Sequence, residues 1–283
     1  MLHALVVGSV NLDLAARVAR LPLPGETVSG ATLARFPGGK GGNQALAARR
    51  LGASVSLCAA VGTDEHADDA LALLAAGGVD LSAVERIAAL PTGLAMIAVT
   101  PEGDNQIVVA PGANKALNVR ADRLPDADLL ICQLETPAAV VADVVTAFEG
   151  FVCVNLAPAR EVDVAVLQRA DLLVVNETEA AWYGDSLVAA TGYVATTYGA
   201  EGAALARNGV VLAEELPPAV KAVDTIGAGD TFTAALALNL AAGRAGPEAL
   251  RYACAAGALA TTRQGAQPSL PSAEEVRQLL ERP

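Results

Sequence analysis

Short runs of consecutive apolar residues alternate with longer Ala- and Leu-rich segments along most of the chain. Residues 5–7, 55–60, 129–133, 152–155, 172–176 and 193–197 have the continuous apolar pattern of strands buried on both faces, while residues 43–51 and 67–76 carry apolar side chains at helical spacing. This alternation predicts an α/β fold with a mainly parallel central sheet covered by helices. Two stretches break the pattern, residues 14–36 and 92–110. In the second, residues 94–100 and 106–110 flank the turn sequence Pro101-Glu102-Gly103-Asp104-Asn105. Together they predict antiparallel strands forming a separate flap. The chain then divides into a core of residues 1–13, 37–91 and 111–283 and a discontinuous β lid of residues 14–36 and 92–110.

With 283 residues the chain can bury a large single core. Asp143, Glu149 and Asn239 interrupt the longest apolar runs before they reach the roughly 18 residues of a membrane span. Asp13 follows the first apolar run too soon for a signal peptide, so a soluble cytoplasmic protein is expected, without a membrane partner. A net charge of -12 argues against a general nucleic-acid binder, which needs clustered Lys and Arg. His3 and His66 are the only histidines; His66 lies in Asp64-Glu65-His66-Ala67-Asp68-Asp69, which has the character of a capped, solvated helix start. Cys58, Cys132, Cys153 and Cys254 stand singly in apolar surroundings and read as buried thiols.

In open α/β sheets ligands bind where strands end, so polar residues after the apolar runs are the first candidates. Gly8-Ser9-Val10-Asn11-Leu12-Asp13 lacks dinucleotide-loop spacing; Asn11 and Asp13 could hold hydroxyls, although turn hydrogen bonds suffice to explain this segment alone. Pro37-Gly38-Gly39-Lys40-Gly41-Gly42-Asn43-Gln44 is no Walker A loop, yet its four glycines surround one of three lysines and permit close approach of a ligand. Gln133-Leu134-Glu135 and Asn176-Glu177-Thr178-Glu179 are each open between a ligand-facing carboxylate and a helix cap. Thr197-Tyr198-Gly199-Ala200-Glu201-Gly202 is open between a phosphate-approaching turn and a plain hairpin.

Asp224-Thr225-Ile226-Gly227-Ala228-Gly229-Asp230-Thr231-Phe232 resembles the C-terminal signature of the ribokinase-like sugar kinases, the PfkB family, and Gly38 to Gln44 resembles the N-terminal one. The resemblance runs from Gly8 to Pro271. Within the family, Pro111-Gly112-Ala113-Asn114, Gln133-Leu134-Glu135-Thr136, Ala157-Pro158-Ala159, Asn176-Glu177-Thr178-Glu179 and the segment from Arg263 to Ser269 are similar to its ribose-phosphorylating members. It implies a ribokinase-like three-layer sandwich with a small antiparallel β lid. The implied activity is ATP-dependent transfer of the γ-phosphoryl group to the 5-hydroxyl of D-ribose. Alternatives are another acceptor, such as 2-deoxyribose, fructose or a nucleoside, and a non-catalytic sugar or nucleotide sensor.

Phosphoryl transfer needs positioning and electrostatic stabilisation more than covalent chemistry. The N–H groups of Gly227, Ala228 and Gly229 at a helix start would therefore form an anion hole. Asp230 beside them would take the proton of the acceptor hydroxyl, its ionised form favoured by the helix end; a plain cap would explain neither the glycines nor the companion motif. By resemblance, Asn11, Asp13, Gly39, Lys40, Asn43, Glu135 and Asp230 would hold ribose. Asn176, Thr197, Gly199, Gly202 and Gly229 would line ATP, with Cys254 near the adenine. Glu179 would help hold Mg²⁺ through water. Asp224, Ile226, Ala260, Arg263, Gly265 and Ser269 would hold K⁺, largely through carbonyls. The lid would close over the sugar and pair with a second subunit, giving a homodimer. The short segment from Ala180 to Tyr193 implies the loss of one outer helix.

Overall fold

The computed structural model describes residues 1–101 and 105–281. The centre of the turn expected at 101–105 lies outside them. The strands are β1 (His3–Val7), β2 (Asn11–Arg17), β3 (Thr32–Gly38), β4 (Ser54–Val61), β5 (Val84–Arg86), β6 (Gly93–Val99), β7 (Asn105–Ala110), β8 (Leu129–Gln133), β9 (Phe151–Asn155), β10 (Leu172–Asn176), β11 (Tyr193–Thr197), β12 (Ala203–Arg207) and β13 (Val210–Glu215). The helices are α1 (Lys40–Arg50), α2 (Glu65–Ala76), α3 (Ala138–Ala147), α4 (Val164–Arg169), α5 (Glu177–Tyr183), α6 (Ala228–Ala241), α7 (Gly246–Ala260), α8 (Ala266–Ser269) and α9 (Ala273–Leu280).

Nine strands form the large sheet in the order β13-β12-β11-β10-β9-β8-β1-β4-β5. It is parallel except where β12 and β13 join antiparallel at one edge. The continuous apolar runs follow from burial on both faces, and the alternation of the pleat sorts them into two cores. Ala4, Val6, Leu129, Ile131, Leu172 and Val174 point to the side holding Leu46, Leu74, Leu236 and Leu250 of α1, α2, α6 and α7. Leu5, Val7, Leu130, Cys132, Leu173 and Val175 point to the side holding Val141, Val144 and Leu167 of α3 and α4. The result is the three-layer α/β/α sandwich.

Chain order reverses between β8 and β1, because the chain leaves β1 for β4 on one side and later returns to β8 on the other. Such a switch point opens a crevice at the carboxyl ends of the strands.

The second sheet, in the order β3-β2-β6-β7, is the β lid. Its two antiparallel pairs, β2 with β3 and β6 with β7, match the sequence pattern, and a parallel pairing of β2 with β6 fuses them. The lid strands also extend further toward the core than the pattern suggests: β2 begins at Asn11, and β3 runs to Gly38. Asn11 stands opposite both Gly38 and Gly93, so the lid grows directly out of the crevice. Between β10 and β11 the connection is α5 followed by a 3-10 turn from Gly184–Ala189, in keeping with the short segment noted in the sequence. No helix among the described residues is long and apolar enough to cross a membrane.

Candidate active site

The helix read from the sequence over residues 43–51 begins earlier, inside the glycine-rich segment. Gly39, at φ 82°, is the only residue between β3 and α1, and Lys40 to Gly42 already form the first turn of the helix. The reason is steric. A Cβ on Gly41 would lie 2.5 Å from the backbone nitrogen of Ser9, and one on Gly39 would lie 2.7 Å from that of Asn11. Only glycine lets α1 start so close to the loop after β1. Lys40, Asn43 and Gln44 are thereby set on the first turns of one helix aimed into the crevice.

At the switch point, Ser9 after β1 donates its hydroxyl to Oε2 of Glu135 after β8. The same oxygen accepts the backbone N–H of Lys40 at 3.1 Å. Two loops and the start of α1 are held together by one carboxylate. Asn11 and Asp13, for which turn hydrogen bonds would have been explanation enough, are instead strand residues of the lid, 3% and 7% exposed. Asn114, in the 3-10 turn after β7, clamps this region: its Oδ1 accepts from the backbone of Val10 at 2.9 Å, and its Nδ2 donates to Val10 O and to Asn11 Oδ1. Gly93 makes the clamp possible, since a Cβ there would lie 2.2 Å from Asn11 Oδ1. Gly38 gives Asp13 its place in the same way, with 2.3 Å from the added Cβ to Oδ2.

Asp230 is the third residue of α6 and 7% exposed. Its Oδ2 accepts from Asn43 Nδ2 at 2.8 Å and its Oδ1 from Gln44 Nε2 at 2.9 Å. The carboxylate is therefore oriented by two amides, which makes it more than a helix cap. Asn43 keeps Oδ1 buried and without a protein partner, an acceptor available to a ligand hydroxyl. Gly227 caps α6 at φ 82°, and a Cβ on Gly229 would meet nothing within 4 Å, so the space over the first turn is open. Gly257 of α7 sits 3.3 Å, as judged by an added Cβ, from Ala228 O and fixes this helix start by close packing.

Charges converge here. Burial, followed by the fields of Glu135 and Asp230, pushes Asp13 up to about 7. For Lys40, burial disfavours the ammonium, but Asp230, Glu135 and Glu179 together outweigh it and raise its proton affinity above the ordinary lysine range. One cation thus serves several carboxylates at this end of the crevice.

Farther along the sheet, Asn176 and Thr197 stand side by side at the carboxyl ends of β10 and β11. Asn176 and Glu179 form a capping box on α5: Asn176 Oδ1 accepts from the Glu179 backbone, and Glu179 Oε2 accepts from the Asn176 backbone, both at 2.8 Å. The structure therefore shows the helix cap, and the charge of Glu179 also contributes to raising the proton affinity of Lys40. Gly199 has φ 59° with open space where a Cβ would project, whereas at Gly202 a Cβ would strike Glu215 O at 2.1 Å. A shallow groove lies beside them, lined by Tyr198, Glu201, Ala203, Glu214, Glu215 and Leu216. Cys254 is 5% exposed behind it, its sulfur 3.7 Å from Glu215 O, and burial pushes its thiol up to about 12.

Asp224 ties two loops together, accepting the Ile226 backbone N–H at 3.0 Å and that of Gly265 at 2.9 Å. Arg263 turns its guanidinium to Glu275, and Ser269 donates its hydroxyl to Ala266 O. What Ile226, Ala260, Arg263 and Gly265 can offer a ligand is therefore backbone. The acidic segment around His66 is a helix cap, with Asp64 accepting from His66 and Thr92, and no group of three or more His, Cys, Asp or Glu suited to a metal occurs among the described residues. Ser9, Asn114, Asn155 and the side chain of Gln44, to which the sequence assigns no role, are those that orient the others.

Comparison with known proteins identifies the family. The chain is 37% identical to a ribokinase of Bacillus subtilis over 294 aligned residues, covering 99% of this chain and 100% of the relative. It is 34% identical to a ribokinase of Haemophilus influenzae, covering 98% and 97%. Among solved structures, a ribokinase of Thermotoga maritima superposes with a TM-score of 0.90 at 31% identity, covering 100% of both chains. The Arabidopsis thaliana ribokinase complexed with ribose and ATP superposes at 0.88 and 30% identity, covering 100% of this chain and 99% of that one. The family model for pfkB family carbohydrate kinases matches residues 1–273. With a fold, a switch-point crevice and an oriented carboxylate at a glycine-led helix start, the chain belongs to the pfkB family of carbohydrate kinases.

Proposed function

We propose that the chain is an ATP-dependent ribokinase that transfers the γ-phosphoryl group of ATP to the 5-hydroxyl of D-ribose, giving D-ribose 5-phosphate and ADP. The observation that carries this reading is the placement of Asp230: buried, oriented by Asn43 and Gln44, and next to the open first turn of α6. In the proposed step, Asp230 takes the proton of the attacking hydroxyl while the N–H groups at Gly227 and Gly229 face the negative charge of the transferred group; that of Ala228, expected to join them, donates instead to Thr225 O at 3.3 Å. Asn11, Asp13, Gly39, Lys40, Asn43 and Glu135 are assigned to the sugar, because buried polar groups reject acceptors that leave them unpaired.

Asn176, Thr197, Gly199 and Gly202 are assigned to the nucleotide phosphates, and Cys254 to the floor behind the purine. Glu179 fits a hydrated Mg²⁺: one carboxylate oxygen is used by the capping box, the other is available, and such an ion keeps most of its water and phosphate ligands. When bound, Mg²⁺ neutralises charge on the phosphoryl oxygens. The backbone-rich set at Asp224, Ile226, Ala260, Arg263, Gly265 and Ser269 fits a weakly hydrated monovalent cation such as K⁺, whose contribution would be to stiffen the two loops joined by Asp224. Leu33, Met96 and Val108 on the exposed face of the lid support a homodimer through that sheet. Four buried free cysteines suit a reducing, cytoplasmic compartment.

The test is phosphorus NMR of the product formed from D-ribose and Mg²⁺-ATP. A 5-phosphate ester formed in step with ADP is expected. ADP without a sugar ester, or an ester at another carbon, would overturn the assignment.

A further inference from the structure

The amide of Gln44 is fully buried, and all of its polar atoms are used. Its orientation follows from the backbone. The carbonyl oxygen of Val174 can only accept, so Asn155 turns Nδ2 toward it at 3.1 Å and presents Oδ1 to Gln44. Gln44 must then turn its nitrogen to Asn155, at 3.1 Å, and that nitrogen's second hydrogen reaches Oδ1 of Asp230 at 2.9 Å. The remaining oxygen of Gln44 accepts from Gln133 Nε2 at 2.6 Å. A backbone carbonyl in the central sheet thus dictates which atom meets the carboxylate, with no freedom for the amide to flip.

We propose that Gln44 is a positioning residue for Asp230, and that Asn155 acts through Gln44 by fixing its polarity. The inference rests on Asp230 being the base. A carboxylate receiving a proton from a hydroxyl must keep a lone pair aimed at it, and Gln44 restrains rotation by holding one oxygen while Asn43 holds the other. Removing one restraint lets the carboxylate turn without touching the sugar or nucleotide contacts, and a misplacement of about 1 Å at a reacting group costs on the order of 100-fold in rate.

The experiment measures kcat and both KM values, with D-ribose and Mg²⁺-ATP, for the parent enzyme, Gln44→Met, Asn155→Leu and the double variant. Gln44→Met is expected to lower kcat by about 30- to 100-fold with both KM values within about threefold of the parent. Asn155→Leu should lower kcat less, and the double variant should match Gln44→Met alone, because the second residue works through the first. Unchanged kcat in a folded Gln44→Met, a loss confined to the ribose KM, or multiplicative effects in the double variant would each overturn the proposal. A parent enzyme without turnover would remove Asp230 as base and this inference with it, which separates the two failures. Gln44→Glu is a second probe that conserves volume: its turnover should rise as pH falls and the introduced carboxyl gains a proton to donate to Asp230. A profile like the parent's would also overturn the proposal.

Discussion

The two ends of the crevice are built on opposite principles. At the end nearest the lid, Asn11, Asp13, Asn43 and Asp230 are buried; amides of other elements hydrogen-bond Asn11 and Asp230, and Cβ atoms on Gly93 and Gly38 would collide with Asn11 and Asp13. At the nucleotide end, Asn176 is exposed, Gly199 opens onto free space, and the groove beside Tyr198 is shallow. A small neutral sugar offers little charge, so its recognition needs pre-formed and desolvated partners, which are costly to leave unpaired. A polyphosphate brings its own charge and can be met by backbone N–H groups and a hydrated cation. On the proposed assignment, acceptor choice rests on side chains and nucleotide binding mostly on backbone shape.

Substitutions at the two ends should therefore have different signatures. The largest effect is expected for Asp230→Asn, with turnover falling on the order of 1,000-fold while calorimetric binding of ribose and ATP stays nearly intact. Near-normal turnover would remove the base. Gly38→Ala comes next: its Cβ would lie 2.3 Å from Asp13 Oδ2, so kcat/KM for ribose should fall about 100-fold while the KM for ATP barely changes. Parallel losses for both substrates would erase the distinction between the ends.

Asp13→Asn should weaken ribose binding roughly tenfold and change stability with a defined sign. The folded-state value of Asp13 is about 7 against an ordinary 3.8, so its contribution to stability is fully present below about pH 3.8 and is lost as pH rises through 7. The neutral asparagine escapes this loss. Its melting temperature without ligand should exceed the parent's, by a margin that grows from about pH 4 to pH 7 and then levels off; a margin independent of pH would contradict the buried-carboxylate explanation. The smallest effect is expected for Gly199→Ala, where the cost is a left-handed backbone, about 1 kcal/mol, with no collision. The KM for ATP should rise a few-fold and that for ribose should not move.

Much of this design is legible along the chain. The apolar runs at β1, β4, β8, β9, β10 and β11 announce a doubly covered sheet, and both glycine-bearing motifs lie at helix starts that face one crevice. The wiring between them is not legible. Ser9 and Glu135 are 126 residues apart and meet only because β1 and β8 are neighbours across the switch point. Asn155 and Asn114 carry no local pattern that separates a network amide from a turn residue, since their partners come from segments distant in the chain. The parallel pairing of β2 with β6 is hidden for the same reason: period-two alternation reports a strand's faces and not its neighbours. Composition also exaggerates the flexibility of residues 38–42, where most of the glycines serve packing contacts in a strand end and a helix turn.

The central claim is that the buried acceptor end selects D-ribose. The measurement that tests it most directly is kcat/KM for ADP release with Mg²⁺-ATP and K⁺, comparing D-ribose with 2-deoxyribose, fructose and adenosine. D-ribose should exceed each of the others by at least about tenfold, the scale expected when a buried polar group loses its hydroxyl partner. An equal or higher value for any other acceptor, or no ADP release with ribose, would contradict it.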